Sequence, residues 1–377
     1  MKANYGLTSV LAVGVLMFSA FIPVQPVAQD STPEPEATIT PVEFTDGFAG
    51  NWIAYNVVPL KPGANSGLKP GIRLKITPES YSLGEKTCTT PKYSIKITTR
   101  EEFLQGNPPP KTSLDFYENK FSYLSTGCAG FEPAEFALAS FHSLAALVND
   151  ELVFFEPDAS LSIGGIDVKS DLVFETNEDP KFEIHGQVPV IQSDSAAVLN
   201  ALLKKSVMDE LDGFKKNFKD WEIPPEMADQ SSFMWINYDV SLLTPRLASI
   251  RFNIDFYMAG AAHPNHIFKV VNFDIKEGKS GTFAGLFTST PKALTFISKY
   301  CKNELNKPDF PLFEEGLEPK EENFQNWNLT EKGLRLSFAP YDVAPYAAGP
   351  QEVLIPFSEL HSLVNSADGF GSYIAQN

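Results

Sequence analysis

Basic residues are scarce in this chain. Thirty Lys and Arg stand against 47 Asp and Glu, for a net charge of −17 at neutral pH. A surface this acidic repels phosphate backbones, which excludes nucleic-acid binding through backbone charge. It keeps the chain soluble and attracts basic partners at low salt. Cysteine is scarce as well: there are three, with no Cys-x-x-Cys, and the five histidines are scattered. Zinc ligation therefore has little support. A Gly-x-Ser-x-Gly elbow and a His-Glu-x-x-His pair are both absent. Two short patterns that do occur have plainer explanations. Ser66 to Lys69 fits Ser-x-x-Lys but lies in a Pro/Gly loop without companion motifs. Gly278-Lys279-Ser280 has Phe273 where a phosphate loop needs glycine, and a hairpin turn accounts for it. The sequence calls for no cofactor and no metal.

Beyond the N-terminus no stretch is apolar enough to span a membrane. The N-terminus itself reads as an export signal. Lys2 is its only charge before Asp30, and residues 7–22 form an apolar core of about 16 residues. That length suits a signal peptide and is short for a membrane helix. The expected cleavage follows Ala28; Pro26 fits that site poorly, which leaves an uncleaved anchor as the alternative. Residues 29–46 are a Pro/Thr/Glu linker with little to bury. The expected location is periplasmic or secreted, with membrane association only if the segment is retained.

What the chain has in plenty is aromatic residues, 12% with 30 Phe, alongside 29 Pro and 24 Gly. This favours a β-rich fold with many turns. Residues 47–160 read as short strands and form the first expected domain, a β-rich barrel or sandwich. Gly50-Asn51-Trp52 is similar to the start of a lipocalin-like barrel. Residues 136–150 are ambiguous, with helix favoured, and His142 within them reads as a core histidine. Cys88 and Cys128 both sit in turn-like sequence of this region. In an exported chain they are expected to form a disulfide worth roughly 3–4 kcal/mol. Cys301 falls on the apolar face of an expected helix and reads as a buried free thiol.

Residues 161–235 form a second module: a strand pair, a long helix over about 194–220, then a strand. Leu199, Leu203, Val207, Leu211, Phe214 and Phe218 recur at helical spacing and make one apolar stripe. Ser193 or Asp194 is the expected cap. His185 alternates with apolar neighbours and reads as structural. Residues 236–365 form a third module with a helix starting near Thr290-Pro291. The Gly/Ser-rich residues 366–377 read as a flexible tail.

Within that third module, residues 328–360 carry two alternating runs around a long loop. Leu334, Leu336 and Phe338 form one apolar face; Val353, Ile355 and Phe357 form the other. The loop, 339–351, holds Pro340, Pro345, Pro350, Tyr341, Asp342, Tyr346 and Gly349. At about 13 residues it exceeds a usual hairpin loop of two to five. A stiff aromatic loop of this length reads either as a binding edge or as a satellite core.

These residues resemble a known family. Gly260 to His263, Asn272 to Lys279, Gly285 to Phe287, Gly333 to Gly349 and Ile355 to Leu360 match the pattern of the RsiV-like extracytoplasmic domain. That domain occurs in lysozyme-sensing anti-sigma factors and ahead of the catalytic part of PdaC-type peptidoglycan deacetylases. Residues 166–235 resemble the module usually found before it. The first turn departs from the pattern, with Ala259 in place of a glycine. The resemblance implies an α+β domain with an antiparallel sheet and two helices. It also implies lysozyme, another basic protein or a cell-wall ligand as partner. The candidate binding residues are then His263, Pro264, Asn265, Tyr341, Asp342, Tyr346 and Gly349. No catalytic set emerges, and the leading expectation is a non-enzymatic binding protein of the bacterial envelope. The alternatives are an envelope enzyme acting on a glycan through His263, and a lipocalin-like carrier of an apolar molecule.

Overall fold

A computed structural model describes residues 47–107, 120–140, 143–227, 230–306 and 310–377. The expected signal peptide and linker, and His142, lie outside the described residues. The fold is α+β. Nine strands form the first sheet: β1 (Gly50–Pro59), β2 (Arg73–Thr77), β3 (Ser80–Leu83), β4 (Lys86–Cys88), β5 (Ser94–Thr99), β6 (Lys120–Ser125), β7 (Glu135–Ser140), β8 (Ser143–Val148) and β9 (Glu151–Pro157). Their order is β4-β3-β2-β1-β9-β8-β7-β6-β5. A short helix, α1 (Arg100–Phe103), follows β5 behind a Thr99–Glu102 capping box.

The sheet must curl, because its two edge strands are consecutive in sequence. Cys88 ends β4 and Ser94 begins β5, so the link reaches at most about 20 Å. Nine strands laid flat at about 4.8 Å spacing would put the edges nearly 40 Å apart. The disulfide between Cys88 and Cys128 and the bond from Tyr81 Oη to Pro133 O, 2.6 Å, hold the two ends together. Inside the curl sit Trp52, Leu74, Tyr81, Phe136, Val153 and Phe155. The sequence alternation then places Tyr55, Leu152 and Phe154 on the outer face, in a second core with Phe103 and Tyr123.

The helix expected over 136–150 is instead the β7–β8 hairpin. Here Phe136 and Leu144 face one core while Ala137 and Ala145 face the other. A strand buried on both faces shows a continuous apolar run rather than alternation, and so mimics a buried helix.

The second sheet runs β10 (Leu161–Ile163), β11 (Ile166–Glu178), β12 (Lys181–Ile191), β13 (Ser232–Leu243), β14 (Leu247–Tyr257), β15 (Asn265–Asp274) and β16 (Lys279–Ser280), in that spatial order. Neighbours are antiparallel except β12 and β13, which pair in parallel across the long helix α2 (Ala197–Asn217). A parallel pair needs such a crossover. The apolar stripe of α2 is buried from Leu199 to Phe214 against Ile184, Ile236, Ile250 and Phe252. Each of those side chains contributes roughly 1.5–3 kcal/mol of transfer free energy. The expected Ser193 or Asp194 cap is not made. A single 3-10 turn, Asp194–Ala196, leads into α2, whose own cap position is Ala196 with no side-chain bond.

The other face of the second sheet is polar at its centre. It packs against the outer face of β1 and β9 and against a third sheet. That sheet consists of β17 (Trp327–Leu329), β18 (Gly333–Phe338) and β19 (Gln351–Pro356). Arg251 on β14 reaches Ser337 Oγ at 2.8 Å and also bonds Glu352. Asn272 Nδ2 donates to Trp327 O at 2.8 Å. The remaining helices, α3 (Thr290–Leu305), α4 (Phe357–Leu360) and α5 (Gly369–Gln376), close the core around the third sheet, with Cys301 buried as a free thiol.

The expected flexible tail is corrected by α5. Asp368 caps it by accepting from Phe370 N and Gly371 N, and Phe370 and Ile374 are buried in the core. Its glycines serve close packing: a Cβ on Gly371 would lie 2.2 Å from Asn365 O.

Candidate functional site

The turn between β14 and β15 and the loop between β18 and β19 come together at one edge of the fold. The turn is shaped by Gly260, whose φ of +95° places it in the left-handed region, and whose missing Cβ leaves room for Pro224. Trp221 Nε1 donates to Ala259 O at 2.8 Å, and Ala259 N donates to Ser232 Oγ at 2.9 Å. Glycine is therefore required at 260, and Ala259 is accommodated with negative φ. Trp221 and Pro224, which follow α2, brace this turn.

His263 projects from the turn onto the loop. Its ring stacks on Tyr346 with centroids 3.9 Å apart, and its Nε2 lies 3.2 Å from Tyr341 Oη. Tyr346 Oη donates to Pro264 O at 2.8 Å, and His263 Nδ1 is 2.8 Å from the same carbonyl. The two tyrosine rings are 5.7 Å apart. Asn265, the first residue of β15, is exposed next to Pro264. Asp342 turns back into its own loop and accepts from Ala339 N at 2.7 Å. Gly349 has φ +66° and ends the short helical turn Tyr346–Ala348. The sequence-derived residues thus share one locality, and three aromatic rings form its centre.

The loop is held from behind. Phe313 N donates to Val343 O at 2.8 Å. Gly316 lies so close that a Cβ there would come 1.8 Å from Asp342 O. Against this anchor Tyr341 adopts φ +75° and remains 54% exposed. A bulky side chain in the left-handed region is uncommon and costs on the order of 1–3 kcal/mol.

A second chemically distinctive cluster lies at the seam of the first two sheets, and sequence reading missed it. His185 on β12 is 6% exposed. Its Nε2 bonds the Glu183 carboxylate and its Nδ1 lies 3.3 Å from Glu156 Oε2. The Tyr55 ring meets it edge-on, centroids 4.3 Å apart. Burial pulls the imidazole pKa down, but the hydrogen bonds and charges of Glu156 and Glu183 outweigh it and raise the value to about 9. Burial, reinforced by the same two carboxylates, pushes the Tyr55 phenol well above its ordinary range. The signal available in sequence was the alternation Glu183, His185, Gln187, which puts three polar side chains on one strand face. Among the described residues no group of three or more His, Cys, Asp or Glu could hold a metal ion. No described helix is long and apolar enough to cross a membrane.

Residues 284–358 match the family described as DUF3298, a protein of unknown function. That match covers the 339–351 loop and stops short of the His263 turn. Over 193 residues the chain is 25% identical to the peptidoglycan-N-acetylmuramic acid deacetylase PdaC of Bacillus subtilis (strain 168), covering 50% of this chain and 40% of that protein. Over 110 residues it is 30% identical to the immunogenic protein MPB64 of Mycobacterium bovis, covering 28% of this chain and 47% of that one. The chain thus spans less than half the length of these relatives. A solved DUF3298 family member from Bacteroides fragilis superposes with a TM-score of 0.39 at 16% identity, over 58% of this chain and 99% of that one. A DUF3298 family protein from Pseudomonas aeruginosa gives 0.38 at 13% identity, over 53% and 94%.

Proposed function

We propose that this chain is an exported binding protein of the cell envelope, and that the face built by His263, Tyr341 and Tyr346 is its recognition edge. The observation that carries this reading is Tyr341. Its backbone is strained, its ring is exposed, and the loop beneath it is anchored on Gly316 and Phe313. The fold accepts that strain and orients the ring through His263 Nε2 while leaving the residue 54% exposed. A contact with something outside the chain supplies the reason. The similarity to PdaC, a protein named for its action on peptidoglycan, supports an envelope setting. The charge of −17 supports a basic partner such as lysozyme.

The glycan-enzyme reading gains no such support. Among the described residues no carboxylate hydrogen-bonds His263, and Asp342 is occupied by Ala339 N. The carrier reading meets a curled sheet whose inner side is occupied by Trp52, Tyr81, Phe136 and Phe155.

The test is retention of lysozyme, and separately of purified peptidoglycan sacculi, on immobilised full-length chain at low salt. One of the two should be retained. Tyr341→Ser should weaken that binding about 30-fold, the effect of losing a central aromatic anchor. Retention of neither would overturn the proposal, as would retention that Tyr341→Ser and His263→Ala leave unchanged.

A further inference from the structure

The seam between the first two sheets contains a cavity of about 320 Å³ that shares no residue with the proposed recognition edge. That volume is at the small end of ligand pockets and gives room for one ring with its substituents. Tyr55, Trp235 and Tyr238 supply aromatic surface to it, and Asn237 stands exposed at its mouth.

The charges around this cavity are already used. Glu156 faces His185 Nδ1 at 3.3 Å, Asp158 pairs with Arg73 at 2.8 Å, and Asp255 pairs with His266 at 2.7 Å. Two neutral side chains are used as well. Gln187 Nε2 donates to Pro157 O at 2.7 Å while its Oε1 accepts from Ala159 N at 3.0 Å. The Tyr238 hydroxyl shares a bond with Ser170 Oγ at 2.8 Å. An ion entering here meets no unpaired counter-charge among the lining residues. Burying it without one is costly, so the cavity suits a neutral occupant.

What is left over is hydrogen-bonding capacity of both kinds. Tyr55 lines the cavity, is 2% exposed, and has a hydroxyl with no partner among the described residues. Burial holds the phenol pKa well above its ordinary range, so at neutral pH this group is an O–H that lacks an acceptor. A buried polar atom left unpaired is costly and calls for a reason. Toward the solvent, Asp255 bonds His266 through Oδ1, which leaves Oδ2 able to accept. Asn237 accepts from Asn253 Nδ2 through Oδ1 at 3.0 Å, which leaves its own Nδ2 able to donate. A floor that donates, below a rim that both accepts and donates, fits a ligand whose groups do both at short spacing. Hydroxyls are such groups. The aromatic side chains cover the apolar C–H faces between them.

We infer that this cavity binds one neutral sugar ring, with a ring hydroxyl accepting from Tyr55 Oη and others meeting Asp255 and Asn237 at the rim. The site does not rest on the recognition edge, and either can fail alone.

The experiment titrates four neutral sugars into the full chain: glucose, galactose, mannose and N-acetylglucosamine. Binding is followed by calorimetry and by tryptophan fluorescence, since Trp235 lines the site. Cyclohexanol serves as a ring with a single hydroxyl, and glucosamine and glucuronate as sugars of either charge. At least one neutral sugar should saturate by about 10 mM and bind about tenfold or more tighter than cyclohexanol. Neither charged sugar should bind more tightly than the best neutral one. Tyr55→Phe should weaken that sugar about tenfold. It should also leave the free protein as stable in urea as before, or more so, because the oxygen it removes is unpaired there; a merely structural tyrosine would show the reverse. No saturation by any of the four at about 10 mM would overturn the inference. So would cyclohexanol or a charged sugar binding as tightly as the best neutral one, or saturation that Tyr55→Phe leaves unchanged, which would place the sugar elsewhere. If Tyr55→Phe does not fold, the order of the probes on the unmodified chain still decides.

Discussion

Raising the pH from 6.5 to 9 should weaken this fold by about 3 kcal/mol through one imidazole. His185 has a folded pKa of about 9 against an ordinary value of 6.5. Among the described residues, the titratable groups packed against it include Glu183 from its own strand, Glu156 from β9 and Tyr55 from β1. A raised pKa means that the folded state holds the proton more tightly than the unfolded chain does. The stabilisation is then complete below pH 6.5 and is lost as pH rises through 9. At 1.36 kcal/mol per pH unit, the window of about 2.5 units sets the size of the effect. Carboxylates are already ionised across this window. The buried Tyr55 phenol and the Cys301 thiol, which burial raises to about 12, titrate above it. The assay is urea unfolding at several pH values, followed by tryptophan fluorescence. The extrapolated stability should fall steadily over the window, and His185→Gln should remove the slope while lowering the plateau. Should that variant not fold, an NMR titration of the five histidines answers the same question: one imidazole should remain charged at pH 8. Stability that is flat or rising from pH 6.5 to 9, or five imidazoles all neutral by about pH 7.5, would refute the reasoning.

Two further outcomes follow from packing. Gly316→Ala would place a methyl group 1.8 Å from Asp342 O, about 1.5 Å inside ordinary contact. It should destabilise the fold by about 1–3 kcal/mol in urea titration and displace the Tyr341 loop, so binding at the proposed recognition edge should weaken with it. Reducing the Cys88–Cys128 disulfide, which closes a 40-residue separation, should cost about 4 kcal/mol by loop entropy, read as a lower urea midpoint under reducing conditions.

Much of the architecture was legible from periodicity alone. The stripe from Leu199 to Phe214 is buried as its spacing implies, because one helix face is fixed by local geometry. The same holds for Leu334, Leu336 and Phe338 on β18. Residues 136–150 were misread because burial on two faces erases the alternation that identifies a strand. The C-terminal helix was hidden by composition. Its glycines suggest mobility, whereas their lack of a side chain is what lets Phe370 and Ile374 reach the core.

The proposed recognition edge was legible as two separate segments, through a family resemblance, but not as one cluster, because His263 and Tyr341 are 78 positions apart. The seam cluster was legible least of all. Alternation on β12 puts Glu183 and His185 on one face, but nothing local shows that Glu156, 29 positions away, completes their charge.

The discontinuity of the His263–Tyr341–Tyr346 stack also makes it a conformational epitope. A synthetic peptide of residues 339–351 would carry both tyrosines yet lack the imidazole and the Pro264 carbonyl that hold Tyr346. Such a peptide should fail to compete for whatever the intact edge binds. An antibody raised against the native edge should lose its target on unfolding, and so would report directly on whether the third sheet is seated on the second.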